Sequence, residues 1–120
     1  MLVDPARPNL TITATRRDNV VILTVSGSID LLTATQLTEA VTGAVSEQPA
    51  GLIIDLTAID FLATAGMSIL LAARDAIAPQ GRFAVVAAGA TERPLRVGGL
   101  SEVIVICATV EDAWTALHTG

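Results

Sequence analysis

Asp55-Leu56-Thr57-Ala58-Ile59-Asp60-Phe61-Leu62-Ala63-Thr64-Ala65-Gly66-Met67 joins an apolar run to a helical pattern. Upstream, Leu52 to Leu56 is almost continuously apolar, as in a strand covered on both faces. Downstream, Met67 to Ala78 reads as a helix that Pro79 ends. Four small residues, Ala63, Thr64, Ala65 and Gly66, fill the junction. Strand, short connection and helix form one half of a crossover unit, so the segment predicts a parallel sheet.

The flanking chain repeats that alternation. Leu10, Ile12 and Ala14 alternate with Thr11, Thr13 and Thr15, a half-buried strand pattern. Asp18-Asn19 reads as a tight turn into the denser strand Val20 to Val25, closed by Gly27, so these two strands form an antiparallel hairpin. Thr33-x-x-Gln36 has capping-box spacing. Leu37, Ala40, Val41, Ala44 and Val45 follow at helical intervals up to Glu47, ahead of Pro49. Phe83 to Ala87 is a buried strand and Thr91 to Val97 a short helix ended by Gly98-Gly99. Val103 to Ile106 is a last strand, and Thr109-x-x-Asp112 opens a closing helix that runs to His118. The expectation is an α/β single domain over residues 9–118, behind a loose lead-in at 1–8. Its mixed, mostly parallel sheet carries an N-terminal antiparallel hairpin and about four helices.

Composition excludes several classes of function. Of 120 residues, 52% are apolar, and seven arginines face twelve carboxylates for a net charge of −5. Nucleic acid and anionic membranes call for a basic footprint, so neither is an expected partner. Mean hydropathy is +0.63, yet the longest charge-free run, Phe61 to Ala73, has 13 residues. A spanning helix needs about 18. Asp4, Pro5 and Pro8 replace the basic-then-apolar pattern of a signal peptide, so a soluble cytoplasmic domain is expected. Cys107 reads as an inert thiol, His118 as a solvated residue near the chain end and Trp114 as a core anchor. One Cys and one His supply no zinc set and no nucleophilic dyad, so no metal, cofactor or catalytic residue is assigned. Asp55 and Asp60 suit turns and caps as well as they suit acid–base work.

Thr64 invites two readings. One is an N-cap whose hydroxyl accepts a backbone N–H. The other is a modifiable hydroxyl where free N–H groups and the helix dipole favour a phosphate. Phe61 and Met67 offer apolar contacts beside it, or core packing.

Three segments together resemble the STAS-domain anti-sigma factor antagonists (anti-anti-sigma factors). Asp55-Leu56-Thr57 followed by Phe61-Leu62-Ala63-Thr64-Ala65-Gly66-Met67 is similar to that family's signature. Gly27-Ser28-Ile29-Asp30 and Gly98-Gly99-Leu100 match two further segments in the same order. The chain carries Ala63 and Ala65 where the family commonly has Asp and Ser or Thr. The resemblance implies a STAS-like fold and a protein partner, an anti-sigma factor of the serine/threonine kinase type. It also implies phosphorylation at Thr64 and a binding surface of Ser28, Asp30, Ala63, Thr64, Ala65, Gly66 and Met67. Alternatives of another class are an accessory subunit of a transporter, a stress-sensing scaffold, or an enzyme using Asp30, Asp55 or Asp60 in a deep pocket.

Overall fold

The computed structural model describes residues 10–79 and 81–118; the expected lead-in at 1–8 lies outside the described residues. Five strands lie in sequential order, β1 (Thr11–Arg17), β2 (Val20–Ile29), β3 (Gly51–Leu62), β4 (Arg82–Val86) and β5 (Val105–Cys107). β1 and β2 are antiparallel, with Arg17 opposite Val20 across the Asp18-Asn19 turn, and the other neighbours are parallel. The helices are α1 (Ala34–Ser46), α2 (Thr64–Ile77), α3 (Glu92–Val97) and α4 (Val110–His118). No helix among the described residues is long and apolar enough to cross a membrane.

The continuous apolar runs of the central strands are explained by two-sided burial. Val21, Leu23 and Val25, with Leu52, Ile54 and Leu56, point to the main core under α1 and α2, where Leu37, Val41, Leu70 and Ile77 meet them. The intervening Val20, Ile22, Ile53, Ala84 and Val86 point to the opposite face. There Ala113 and Leu117 of α4 cover them.

The two elements that frame the junction are longer than their sequence pattern predicts. β2 continues through Gly27 to Ile29, and β3 continues past Leu56 to Leu62. Their pairing slips twice, once between Thr24 and Ser26 and once between Gly27 and Ser28. At each slip β3 carries one extra residue, a β-bulge. Asp55 Oδ1 accepts from the Thr57 N–H at 3.0 Å and from its hydroxyl at 2.8 Å, which gives the first bulge its turn-like sequence. Gly27 stands at φ 116°, a conformation open to glycine without strain.

Other corrections are local. The expected Thr33–Gln36 capping box does not form: Thr33 caps α1 with no side-chain bond to it, and Gln36 Oε1 accepts from the Leu10 N–H instead. The motif sits three residues earlier. Asp30 Oδ1 accepts from the Leu32 and Thr33 N–H groups at 2.9 and 3.1 Å, while Thr33 Oγ1 accepts from the Asp30 N–H at 3.0 Å. That is a reciprocal box built on Asp30 and Thr33. Ala14 is exposed, because β1 is an edge strand and α1 covers little of it. The last strand begins at Val105 rather than Val103. The second expected cap does form, with the Asp112 N–H donating to Thr109 Oγ1 at 3.1 Å.

Candidate functional site

The ends of β2 and β3 and the start of α2 meet at one end of the sheet. Ser28 pairs with Phe61 and Ile29 with Leu62. One residue on, the Ala63 N–H donates to Ile29 O at 2.9 Å, which ties the entry of α2 to the exit of β2. The segments Gly27–Asp30 and Ala63–Met67, separated by more than thirty residues in sequence, thus form one surface.

Ala63 is the N-cap of α2, in an extended conformation, and Thr64 is the first helical residue. This corrects both the expected helix start at Met67 and the reading of Thr64 as the N-cap. The Thr64 side chain caps nothing and is exposed. Ala63 O accepts from the Gly66 N–H at 2.9 Å and from the Met67 N–H at 3.4 Å. The first turn carries no acidic residue. It therefore presents the positive end of the helix dipole with no carboxylate to offset it.

Small residues are required here by packing. Gly66 is buried, and a Cβ on it would lie 2.6 Å from Leu62 Cδ1 and 2.7 Å from Ile29 Cγ2. α2 can lie this close to β2 and β3 only with glycine at that position. Met67 is half-buried against the core, and a Cβ on Gly98 would come within 3.0 Å of its sulfur. Gly98 ends α3, and Gly99 follows at φ 80°. The third sequence segment singled out therefore packs behind the first turn of α2. Ala65 is half-buried, and Ser28 is half-buried in the paired strand ends.

Asp30 is half-buried, and its Oδ1 is engaged by its own loop. Thr33 is fully buried, and its hydroxyl donates to Ser28 O at 2.8 Å. Beyond them Leu31 and Leu32 are 83% and 73% exposed, and Phe61 is 57% exposed. The leucine pair was not singled out in the sequence. Its signal is two consecutive large apolar residues between Asp30 and Thr33, where a tight turn has no room to bury both.

Asp60 is exposed, and Asp55 serves the β3 bulge. Grooves occur elsewhere, one of about 370 Å³ between α1 and α2, lined by Val41, Val45, Ile69 and Ala73. None of Asp30, Asp55 and Asp60 lines this groove, the one between β1 and α1, or the one beside Cys107. Cys107 is half-buried; burial first, and then the Asp112 carboxylate, push its thiol above the ordinary value. Trp114 packs partly against the smaller core, with Arg17 4.1 Å above its ring and the His118 ring 4.3 Å away.

A family model described as the STAS domain matches residues 11–113. Over 116 residues the chain is 37% identical to the anti-sigma-F factor antagonist RsfB of Mycobacterium tuberculosis, covering 96% of this chain and 95% of that one. The crystal structure of an anti-sigma factor antagonist from Mycobacterium paratuberculosis superposes with a TM-score of 0.88 at 37% identity, over 92% of this chain and 95% of that one. The Bacillus cell fate determinant SpoIIAA in its phosphorylated form shares the fold, with a TM-score of 0.67 at 18% identity over 90% of this chain and all of that one. The ordered strand pairing, the paired ends of β2 and β3 and the family match over most of its length agree: the chain belongs to the STAS domain family.

Proposed function

We propose that the protein is an anti-sigma factor antagonist. It binds a cognate anti-sigma factor, a serine/threonine kinase, through the surface of Ser28, Asp30, Ala63, Thr64, Ala65 and Met67, with Gly66 buried beneath them. The bound sigma factor is released to activate transcription, and the exchange takes place in the cytoplasm. Phosphorylation of Thr64 by the kinase ends the interaction. The observation that carries this reading is an exposed hydroxyl on the first residue of an α2 that has neither a side-chain cap nor an acid in its first turn. The names of the two mycobacterial relatives, each 37% identical, support it.

A phosphate brings about −1.5 to −2 charge at neutral pH. At the N-terminus of α2 that charge is favoured by about 0.3–1 kcal/mol, so the fold accepts it. In the centre of a desolvated interface with no cation opposite, the same charge costs several kcal/mol. A loss of about 2.8 kcal/mol is already a hundredfold in affinity. The switch acts by excluding the partner, with the domain intact.

The test uses purified anti-sigma factors of the source organism. One of them binds the unmodified chain and, given ATP, transfers phosphate to Thr64. Thr64→Glu binds at least about a hundredfold more weakly, with no fall in Tm. Phosphate on another residue, or Thr64→Glu binding as tightly as wild type, refutes the switch.

A further inference from the structure

Asp30 and the two leucines that follow it divide the work of this surface in a way the sequence motif does not suggest. The Asp30 carboxylate is turned into its own loop, where Oδ1 holds the Leu32 and Thr33 N–H groups. The main-chain Asp30 O accepts from the Ala34 N–H at 2.9 Å, and Thr33 closes the box from beneath. This rigid turn leaves Leu31 and Leu32 among the most exposed large apolar residues described. A side chain that serves the fold would be drawn inward. Here one aspartate and one buried threonine instead hold two leucines out in water. Two adjacent leucines exposed to this degree form an apolar patch of the kind that marks a protein contact.

The patch adjoins Thr64. Ile29 O bonds the Ala63 N–H, so Leu31 stands two residues past one partner of that bond and Thr64 one residue past the other. The rim is acidic, with the exposed Asp60 at the same end of the sheet. The sequence holds no Lys or Arg between Arg17 and Arg74, the span that supplies β2, β3 and the first turn of α2. A second copy of this chain would bring an equal charge of −5 and the same carboxylates face to face, which is repulsive. A partner with an apolar groove edged by cations fits.

We propose that the Leu31–Leu32 tip is an apolar anchor that inserts into a cation-rimmed groove of the anti-sigma factor, and that Asp30 and Thr33 are positioning residues for it. This inference rests on the function proposed above. It assigns Asp30 no direct contact through its charge, and so separates holding the loop from touching the partner.

The experiment measures binding of the full chain to the purified anti-sigma factors of the source organism, with Tm recorded for every variant. Leu31→Ser/Leu32→Ser weakens binding by at least about thirtyfold, and its Tm stays that of wild type because both side chains are solvent-exposed. Asp30→Ala, which removes the Oδ1 acceptor, also weakens binding. Asp30→Asn keeps that acceptor and binds within about threefold of wild type. If the double serine variant binds as tightly as wild type, the anchor is wrong. If Asp30→Asn is as weak as Asp30→Ala, the carboxylate charge itself touches the partner and the positioning role is wrong. Failure of the wild-type chain to bind any of these anti-sigma factors overturns the proposed function and this inference with it, an outcome distinct from the other two.

Discussion

Gly66→Ala adds one methyl group at the point where α2 rests on the strand ends. The added Cβ would lie 2.6 Å from Leu62 Cδ1 and 2.7 Å from Ile29 Cγ2, where carbon atoms settle at about 3.5–4.0 Å. Leu62 can rotate, although it is buried in the main core. Ile29 cannot yield in the same way: it is β-branched, fully buried, and its carbonyl holds Ala63. Relief therefore requires the first turn of α2 to move outward by about an ångström, which strains the Ala63–Ile29 bond. Overpacking costs about 1–3 kcal/mol; two contacts below 3.0 Å on buried side chains place this one in the upper part of that range, at about 2–3 kcal/mol, and alanine returns about 1 kcal/mol of helix propensity. The net is a destabilisation of about 1–2 kcal/mol, or about 4–8 °C in Tm for a domain of this size. The matched control is Gly43→Ala in α1, where a Cβ meets nothing within 4 Å. That change stabilises by about 0.5–1 kcal/mol. Urea denaturation and calorimetry of the two variants read opposite signs for one chemical change. A Gly66→Ala protein as stable as wild type, or more so, refutes the close approach.

Two further outcomes follow from buried and half-buried groups. Thr33→Val preserves shape but leaves the Asp30 N–H and Ser28 O without the hydroxyl that serves both, and urea denaturation should show a loss of about 1–3 kcal/mol; an unchanged midpoint would mean that water replaces the hydroxyl. Cys107 has a thiol pushed above its ordinary value by burial and by Asp112, so the fold favours the neutral form. That contribution to stability is complete below the unfolded pKa and is lost as pH rises through the folded one. Iodoacetamide should accordingly alkylate the native thiol more slowly than the thiol of the urea-unfolded chain at mildly alkaline pH, and equal rates would contradict the assignment.

The layered α/β fold was legible because its signals are long and redundant. Leu37, Val41 and Ala44 repeat at the helical period and are the residues α1 buries. The runs in β2 and β3 are continuous because both faces are covered. The strand ends were not legible, for a physical reason. Asp55, Thr57, Asp60 and Gly27 are residues of turns, and here they serve two bulges inside paired strands. A bulge has the local chemistry of a turn, and only the neighbouring strand shows which it is. The capping box was misplaced by three residues for a similar reason. Asp30-x-x-Thr33 and Thr33-x-x-Gln36 are both plausible pairs in sequence, and burial of Thr33 with its bond to Ser28 O selects the first. Ser28, Asp30 and residues 63–67 lie together at one end of the sheet, with Gly66 buried beneath the others. The leucine tip was missed because exposure of an apolar pair depends on a turn held by side-chain bonds, which no periodicity records.

The alanines on either side of Thr64 acquire a meaning from the same geometry. A carboxylate at position 63 would be an N-cap acceptor for α2, and it would also place a permanent negative charge beside any phosphate on the next residue. Ala63 does neither, and α2 begins with no side-chain cap and no acid in its first turn. The carboxylate of Asp30, at the end of the neighbouring strand, has its Oδ1 taken up by the Leu32 and Thr33 N–H groups. The first turn is therefore close to neutral and apolar before modification, with small side chains that let a partner reach the backbone. On the proposed function, a phosphate at Thr64 then changes this turn from neutral to about −2, and neither flanking side chain competes for the helix N-terminus. Loss of the polar neighbours thus leaves the charge contrast of the switch at its largest, while the Leu31–Leu32 tip retains the apolar part of the contact. Affinity in the unmodified state and its loss on modification are assigned to different residues, so Leu31→Ser/Leu32→Ser should lower the affinity of the unmodified chain, whereas Thr64→Ala should keep that affinity and abolish its loss on incubation with the anti-sigma factor and ATP.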